Sequence, residues 1–132
     1  MGTTIVMRDL VAVAAGGMIG AVLRYLVTGW SQALSRSTSF PIGTLVVNLL
    51  GCLAIGLLAG WSRDLEAFSS TTRAFLLLGL LGAFTTFSTF GYETVVLLQD
   101  GRHLSALTNV ATQVIGGLAA VWMGYVLATL GR

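Results

Sequence analysis

Residues 82–94 read GAFTTFSTFGYET, and they set a run of four hydroxyls, within 85–89, and a carboxylate inside one of the most apolar regions of the chain. Thr85, Thr86, Ser88 and Thr89 are neutral donors, and Phe84, Phe87 and Phe90 stand between them. Gly79, Gly82 and the β-branched threonines make a poor continuous helix, so a break is expected near 82–86. A break frees backbone groups, which persist at membrane depth only where they bind something or are buried in protein. Freed carbonyls suit a cation, whereas freed amides and hydroxyls suit an anion. Beyond the break, Phe87 and Phe90 are three residues apart and share a face, which Glu93 joins after three more. An aromatic edge carries positive charge density, so two ring edges can flank an anion without trapping it. The plain alternatives are hydroxyls bonded back to their own helix and phenylalanines in a core.

Other polar residues lie where lipid would reject them. Asn48 sits in PIGTLVVNLLG with Thr44 one turn earlier. Its carboxamide is either interhelical glue or a neutral donor to an anion. Asn109 and Gln113, with Thr112 between them, share a helix face and carry the same two readings. Arg24, in GAVLRYL, either snorkels to the interface or marks a vestibule that draws in anions.

The elements that must position these residues follow from composition. The 132 residues are 55% hydrophobic and 9% charged, with a mean hydropathy of +0.88. Soluble domains carry roughly a quarter charged residues, so the chain belongs to the membrane class. Crossing the bilayer takes about 20 apolar residues in a helix, and four such stretches are present, at 10–32, 42–62, 73–99 and 104–130. The expected fold is therefore all-α, a single transmembrane domain of four helices with the third broken. Pro41 can open the second helix, Ser70, Thr71 and Thr72 are N-cap candidates for the third, and Gly101 centres a tight turn in QDGRH. Ala12 and Ala14 mimic a cleavage site, but Arg8 and Asp9 leave too short an apolar run for a signal peptide.

Several function classes drop out. Cys52 stands alone and offers neither a disulfide framework nor a metal site. Seven arginines and no lysine give a formal charge of +2 without a basic stripe, which does not suggest a nucleic-acid partner. No Ser/His/Asp set, carboxylate pair or phosphate loop is present, and His103 is alone in a turn, so no enzyme is expected. Small residues recur at Gly16–Gly20, Gly56–Gly60 and Gly116–Ala120–Gly124, a spacing that lets helix backbones approach closely. Four tightly packed helices leave little interior for a route, so conduction calls for a homo-oligomer. Arg8, Arg63, Arg73 and Arg132 fall on one side of the membrane, against Arg36 and Arg102 with Arg24 near them. That bias is weak, and it fits either insertion in both orientations or an ordinary inside N-terminus with few charges.

GTLVV followed by NLLG, and then GLLGAFTTFSTFGYE, resembles the Fluc/CrcB fluoride channels, whose pattern includes TTFSTF. The resemblance covers essentially the whole chain, including the Gly20–Arg24 approach. It implies passive fluoride export through two pores of an antiparallel, dual-topology homodimer in the bacterial cytoplasmic (inner) membrane. The family's pore residues map onto Asn48, Phe87 and Phe90, and its pore hydroxyl and glutamate onto Ser88, Thr89 and Glu93. Thr44 becomes a wall residue. The polar positions of the fourth span fall on Asn109 and Gln113, in place of the expected Tyr and Ser. A structural sodium at the dimer centre would be held by backbone carbonyls of Gly82 and Thr85. The rival reading is a small dual-topology proton-coupled exporter using Glu93, and a third is a non-conducting assembly subunit.

Overall fold

The computed structural model describes residues 2–35, 39–62 and 68–130. Among them are four segments long and apolar enough to span a bilayer, Val6–Leu34, Ile42–Trp61, Ser70–Gln99 and His103–Leu130, and no strand. These are the four spans read from hydropathy, although the first helix begins earlier, at Gly2. We label them α1 (Gly2–Leu34), α2 (Ile42–Ser62), α3 (70–84), α4 (Phe87–Gln99) and α5 (His103–Leu130), with α3 and α4 forming the broken third span. Arg36, Arg63 and Arg132, on which the orientation argument partly rests, lie outside the described residues, as do parts of both polar loops.

Helix ends follow local chemistry. Ile42 follows Pro41, whose carbonyl accepts from Leu45 N–H at 3.3 Å. Gln32 ties the end of α1 to that start, its Oε1 accepting from Gly43 N–H at 3.2 Å. The cap of α3 is Ser69, one residue before the three candidates read from sequence; its Oγ accepts from Thr72 N–H at 3.1 Å. Ser69 wins because an N-cap serves the amide three residues ahead, and the ladder begins at Ser70. The α4–α5 turn closes with Gly101 N–H on the Leu98 carbonyl and Arg102 N–H on the Leu97 carbonyl. This paired closure places Gly101 at the left-handed position, where its φ of 72° disfavours a side chain.

Glycines set how closely the helices approach. A Cβ on Gly79 would stand 2.8 Å from the Val13 carbonyl oxygen and 3.0 Å from Gly16 Cα. Gly20 similarly faces the Leu80 carbonyl, so α1 and α3 meet backbone to backbone. Gly56 against the Val121 carbonyl and Gly124 against the Leu53 carbonyl join α2 to α5 in the same way. Two wide turns with i→i+5 bonding interrupt the helices, at 74–81 in α3 and 112–116 in α5. The second starts where Thr112 Oγ1 enters the ladder, 2.8 Å from the Thr108 carbonyl and 3.2 Å from that of Asn109.

The interior is small and partly polar. At most 28% of the residues in any span's most apolar window are buried. Val47, Leu97 and Ala106 are buried, and so are Thr44, Asn109 and Ser31. Most of each helix therefore faces lipid or another chain. Trp30 and Trp61, near the ends of α1 and α2, are exposed, as interfacial anchors are.

Candidate functional site

The third span breaks at Thr85 and Thr86, which are extended (φ −86°, ψ 160° and φ −151°, ψ 117°). This is the break expected near 82–86, and it lies midway along Ser70–Gln99. Thr86 restarts the helix as its N-cap, Oγ1 accepting from Thr89 N–H at 3.3 Å. Asn48, on α2, holds the Thr86 peptide by both polar groups. Thr86 N–H donates to Asn48 Oδ1 at 2.9 Å, and Asn48 Nδ2 donates to the Thr86 carbonyl at 3.1 Å. Nδ2 also donates to Gln113 Oε1 at 3.0 Å. Both amide protons of Asn48 are thus engaged within the chain.

These bonds divert donors from the helix ladder. Thr86 N–H would serve the Gly82 carbonyl in an unbroken helix, and Thr89 N–H would serve that of Thr85. The first goes to Asn48 and the second to Thr86 Oγ1. The carbonyls of Gly82 and Thr85 therefore lose their i+4 partners, and Gly82 is exposed. Uncharged oxygens of this kind suit a hard monovalent cation, so the residues present fit a sodium site of backbone carbonyls.

Two cavities flank the break. One, of about 400 Å³, is walled by Asn48, Thr85, Thr86, Phe87, Phe90 and Gln113, with Cys52, Leu77 and Leu81 beside them. The other, of about 650 Å³, is walled by Arg24, Tyr25, Thr28, Thr44, Thr86, Thr89 and Glu93. Thr86 lines both, so an ion passing between them would cross the break.

In the first cavity Phe90 is buried while Phe87 is 82% exposed. Their rings meet edge to face, with centroids 5.4 Å apart and planes at 67°. Gln113 Nε2 is buried without a hydrogen-bond partner. In the second, Thr44 Oγ1 donates to Glu93 Oε1 at 2.7 Å, and Glu93 Oε2 is buried without a partner. Arg24 is half-buried in the wall of this cavity.

The structure thus gathers Asn48, Thr85, Phe87, Phe90 and Gln113 around one cavity, and Arg24, Thr44, Thr89 and Glu93 around the next. Ser88 is exposed beside them, its Oγ 3.4 Å from Thr86 Oγ1. Asn109 stands apart from both cavities. It is fully buried, its Nδ2 donates to Thr94 Oγ1 at 3.0 Å, and Thr94 donates on to the Phe90 carbonyl at 2.8 Å. The residue that sequence reasoning undervalued is Thr86, which caps α4, receives Asn48 and touches both cavities. The spacing Thr86-x-x-Thr89 after a glycine is the N-cap signal that could have singled it out.

Residues 11–125 match the family described as CrcB-like protein, Camphor Resistance (CrcB). The chain is 47% identical over 118 residues to a "Fluoride-specific ion channel FluC" of Chloroflexus aurantiacus, covering 89% of this chain and 93% of that one. It is 44% identical over 126 residues to a protein of the same name from Nitratidesulfovibrio vulgaris (96% and 98% covered). With "Fluoride-specific ion channel FluC 3" of Methanosarcina barkeri it shares 43% identity over 122 residues (92% and 91% covered).

Proposed function

From the premise that this chain belongs to the CrcB family, we infer that it is a fluoride channel, a multi-pass membrane protein that transports an ion rather than an enzyme. The observation that carries the reading is the third-span break, flanked by two cavities with neutral donors and with Thr86 in the wall of each. Fluoride is small and strongly hydrated, so a pore must replace water's hydrogen bonds. The hydroxyls of Thr86, Ser88 and Thr89 and the edges of Phe87 and Phe90 provide neutral replacements. Arg24 draws anions toward the second cavity. Thr44 and Glu93 form its wall, and rejection of larger chloride would rest on a narrow bore, which the Phe rings can supply. Asn109 supports the Phe90 backbone from behind, through Thr94.

The working unit is a homodimer of antiparallel subunits with two pores. Gly82, Phe87, Ser88 and Thr89 are exposed on the single chain at the middle of the span. Lipid would leave their polar groups unsatisfied at several kcal/mol each, so a second copy must cover them. A two-fold axis in the membrane plane brings mid-depth points together, and the breaks are mid-depth points. The Gly82 and Thr85 carbonyls of both copies would then hold a structural sodium, which offsets the unpaired oxygens of the breaks and does not permeate. In a bacterial cytoplasmic membrane, fluoride that enters as HF and ionises inside would leave passively, down the membrane potential.

The exporter reading gains no support, since the relatives carry channel names. Fluoride efflux from liposomes with the proton gradient collapsed separates the two. A channel keeps its flux, and an exporter loses it. The dimer is tested by labelling a C-terminal cysteine tag in a Cys52→Ser background. Antiparallel subunits label from both sides, and labelling from one side in a conducting protein refutes the arrangement.

A further inference from the structure

We propose that the groove between the first turns of α1 and α3 binds a phosphatidylethanolamine, with its phosphate on Arg73 and its ammonium on Asp9. The two helices start on the same side of the membrane, because α2 runs back between them. They touch backbone to backbone where Gly79 meets Val13 and Gly16. Nearer their starts Thr71 Oγ1 donates to Asp9 Oδ1 at 2.7 Å and links them again. On one side of this link lies a groove of about 560 Å³, with Asp9, Ser70 and Arg73 in its wall. Deeper along the helices the wall is apolar, with Leu10 and Val13 from α1 and Ala74, Leu77 and Leu78 from α3. Leu10 and Leu78 are exposed. Asp9 and Arg73 each lie three residues inside the start of a span, about 4.5 Å at 1.5 Å per residue, the level of headgroups rather than of acyl chains.

The charges in this wall select the lipid. Asp9 and Arg73 face one groove without forming an ion pair, and among the described residues the Arg73 guanidinium has no hydrogen-bond partner. The guanidinium fork matches a phosphate. A carboxylate beside it repels a lipid of net negative charge and accepts N–H bonds from a primary ammonium. A quaternary choline has no N–H to give. The separated pair of charges therefore complements a zwitterion with a primary amine. Its headgroup would bridge α1 and α3, and its upper acyl chains would cover the apolar wall. The groove on the other side of the Asp9–Thr71 link carries Arg8 and no carboxylate, so it lacks this selection. The site requires only a membrane around the four spans, whatever ion crosses.

The test is native mass spectrometry of the full-length protein in detergent, titrated with phosphatidylethanolamine, phosphatidylcholine and phosphatidylglycerol of identical acyl chains. Phosphatidylethanolamine should bind at least about tenfold more tightly than phosphatidylcholine, the scale of one charge-assisted hydrogen bond. Asp9→Asn keeps an acceptor for Thr71 and should bring the two lipids within about twofold of each other. Arg73→Gln should weaken both by about tenfold, whereas Arg8→Gln should leave the preference for phosphatidylethanolamine unchanged. A preference that survives Asp9→Asn, or that Arg8→Gln abolishes, overturns the assignment. Tighter binding of phosphatidylglycerol than of phosphatidylethanolamine in the wild type overturns it too, since a basic patch alone would then be at work. If Asp9→Asn does not fold, Arg73→Gln decides, and unchanged affinity there refutes the site. Cross-linking of Leu78→Cys to a second copy in a Cys52→Ser background, with no lipid retained by the wild type, would make the groove a subunit contact and refute the lipid.

Discussion

Thr86→Val and Thr85→Val are near-identical changes that should behave differently. Both replace a hydroxyl with a methyl, and both keep the β-branched shape that suits extended backbone. Thr85 Oγ1 donates to the Leu81 carbonyl at 3.0 Å, an oxygen already served by Thr85 N–H at 3.0 Å. Losing that hydroxyl leaves no group unpaired, so Thr85→Val should cost under about 0.5 kcal/mol. Thr86 Oγ1, by contrast, caps α4 through Thr89 N–H and lies 3.0 Å from Thr89 Oγ1. Loss of an N-cap costs about 1 kcal/mol. An amide orphaned in hydrocarbon would cost several, but Thr86 lines both cavities, and water there can serve Thr89 N–H. The expected loss is therefore about 1 kcal/mol, or about 4 °C in the melting midpoint, with a clear fall in fluoride flux. Circular-dichroism melts in detergent and liposome efflux measure both. Equal midpoints and equal fluxes for the two variants would refute the role of Thr86 as hub of the break. A loss several times larger than 1 kcal/mol would show that the junction between the cavities is dry.

Phe87→Ile should lower fluoride flux strongly, because it removes a ring edge from the cavity wall; a pore that conducts normally with isoleucine there refutes its wall role. Gly56→Leu should separate α2 from α5, since even a Cβ meets the Val121 carbonyl, and cost about 3 kcal/mol or more, read as loss of a monodisperse peak in size-exclusion chromatography. Replacing sodium by N-methylglucamine should lower the dimer's melting midpoint, by the equivalent of about 2.7 kcal/mol if sodium stood at a hundred times its dissociation constant. A midpoint that ignores sodium would remove the Gly82 and Thr85 carbonyl site.

The four spans were legible because hydrocarbon thickness imposes a length and composition that no local detail can override. The break was legible for a related reason, that Gly82 and paired threonines weaken a helix where nothing else compels one. What periodicity cannot give is the partner of a polar side chain. Asn48 reads equally as glue or as ion donor, and only the distances to Thr86 and Gln113 show that its amide is fully engaged. Asn109 and Gln113 look equivalent on a helical wheel, yet the wide turn beginning at Thr112 lies between them, and one faces Thr94 while the other faces the cavity. Ser69 was missed by one residue, because a run of hydroxyls offers several caps and the choice depends on where the ladder starts.

Fluoride and chloride efflux from liposomes holding only this protein, with valinomycin clamping the potential, tests the central claim most directly. Ion-selective electrodes should record rapid release of fluoride and retention of chloride until detergent is added. Equal release of both anions, or no release of fluoride beyond protein-free liposomes, would contradict a fluoride-selective pore at the break of the third span.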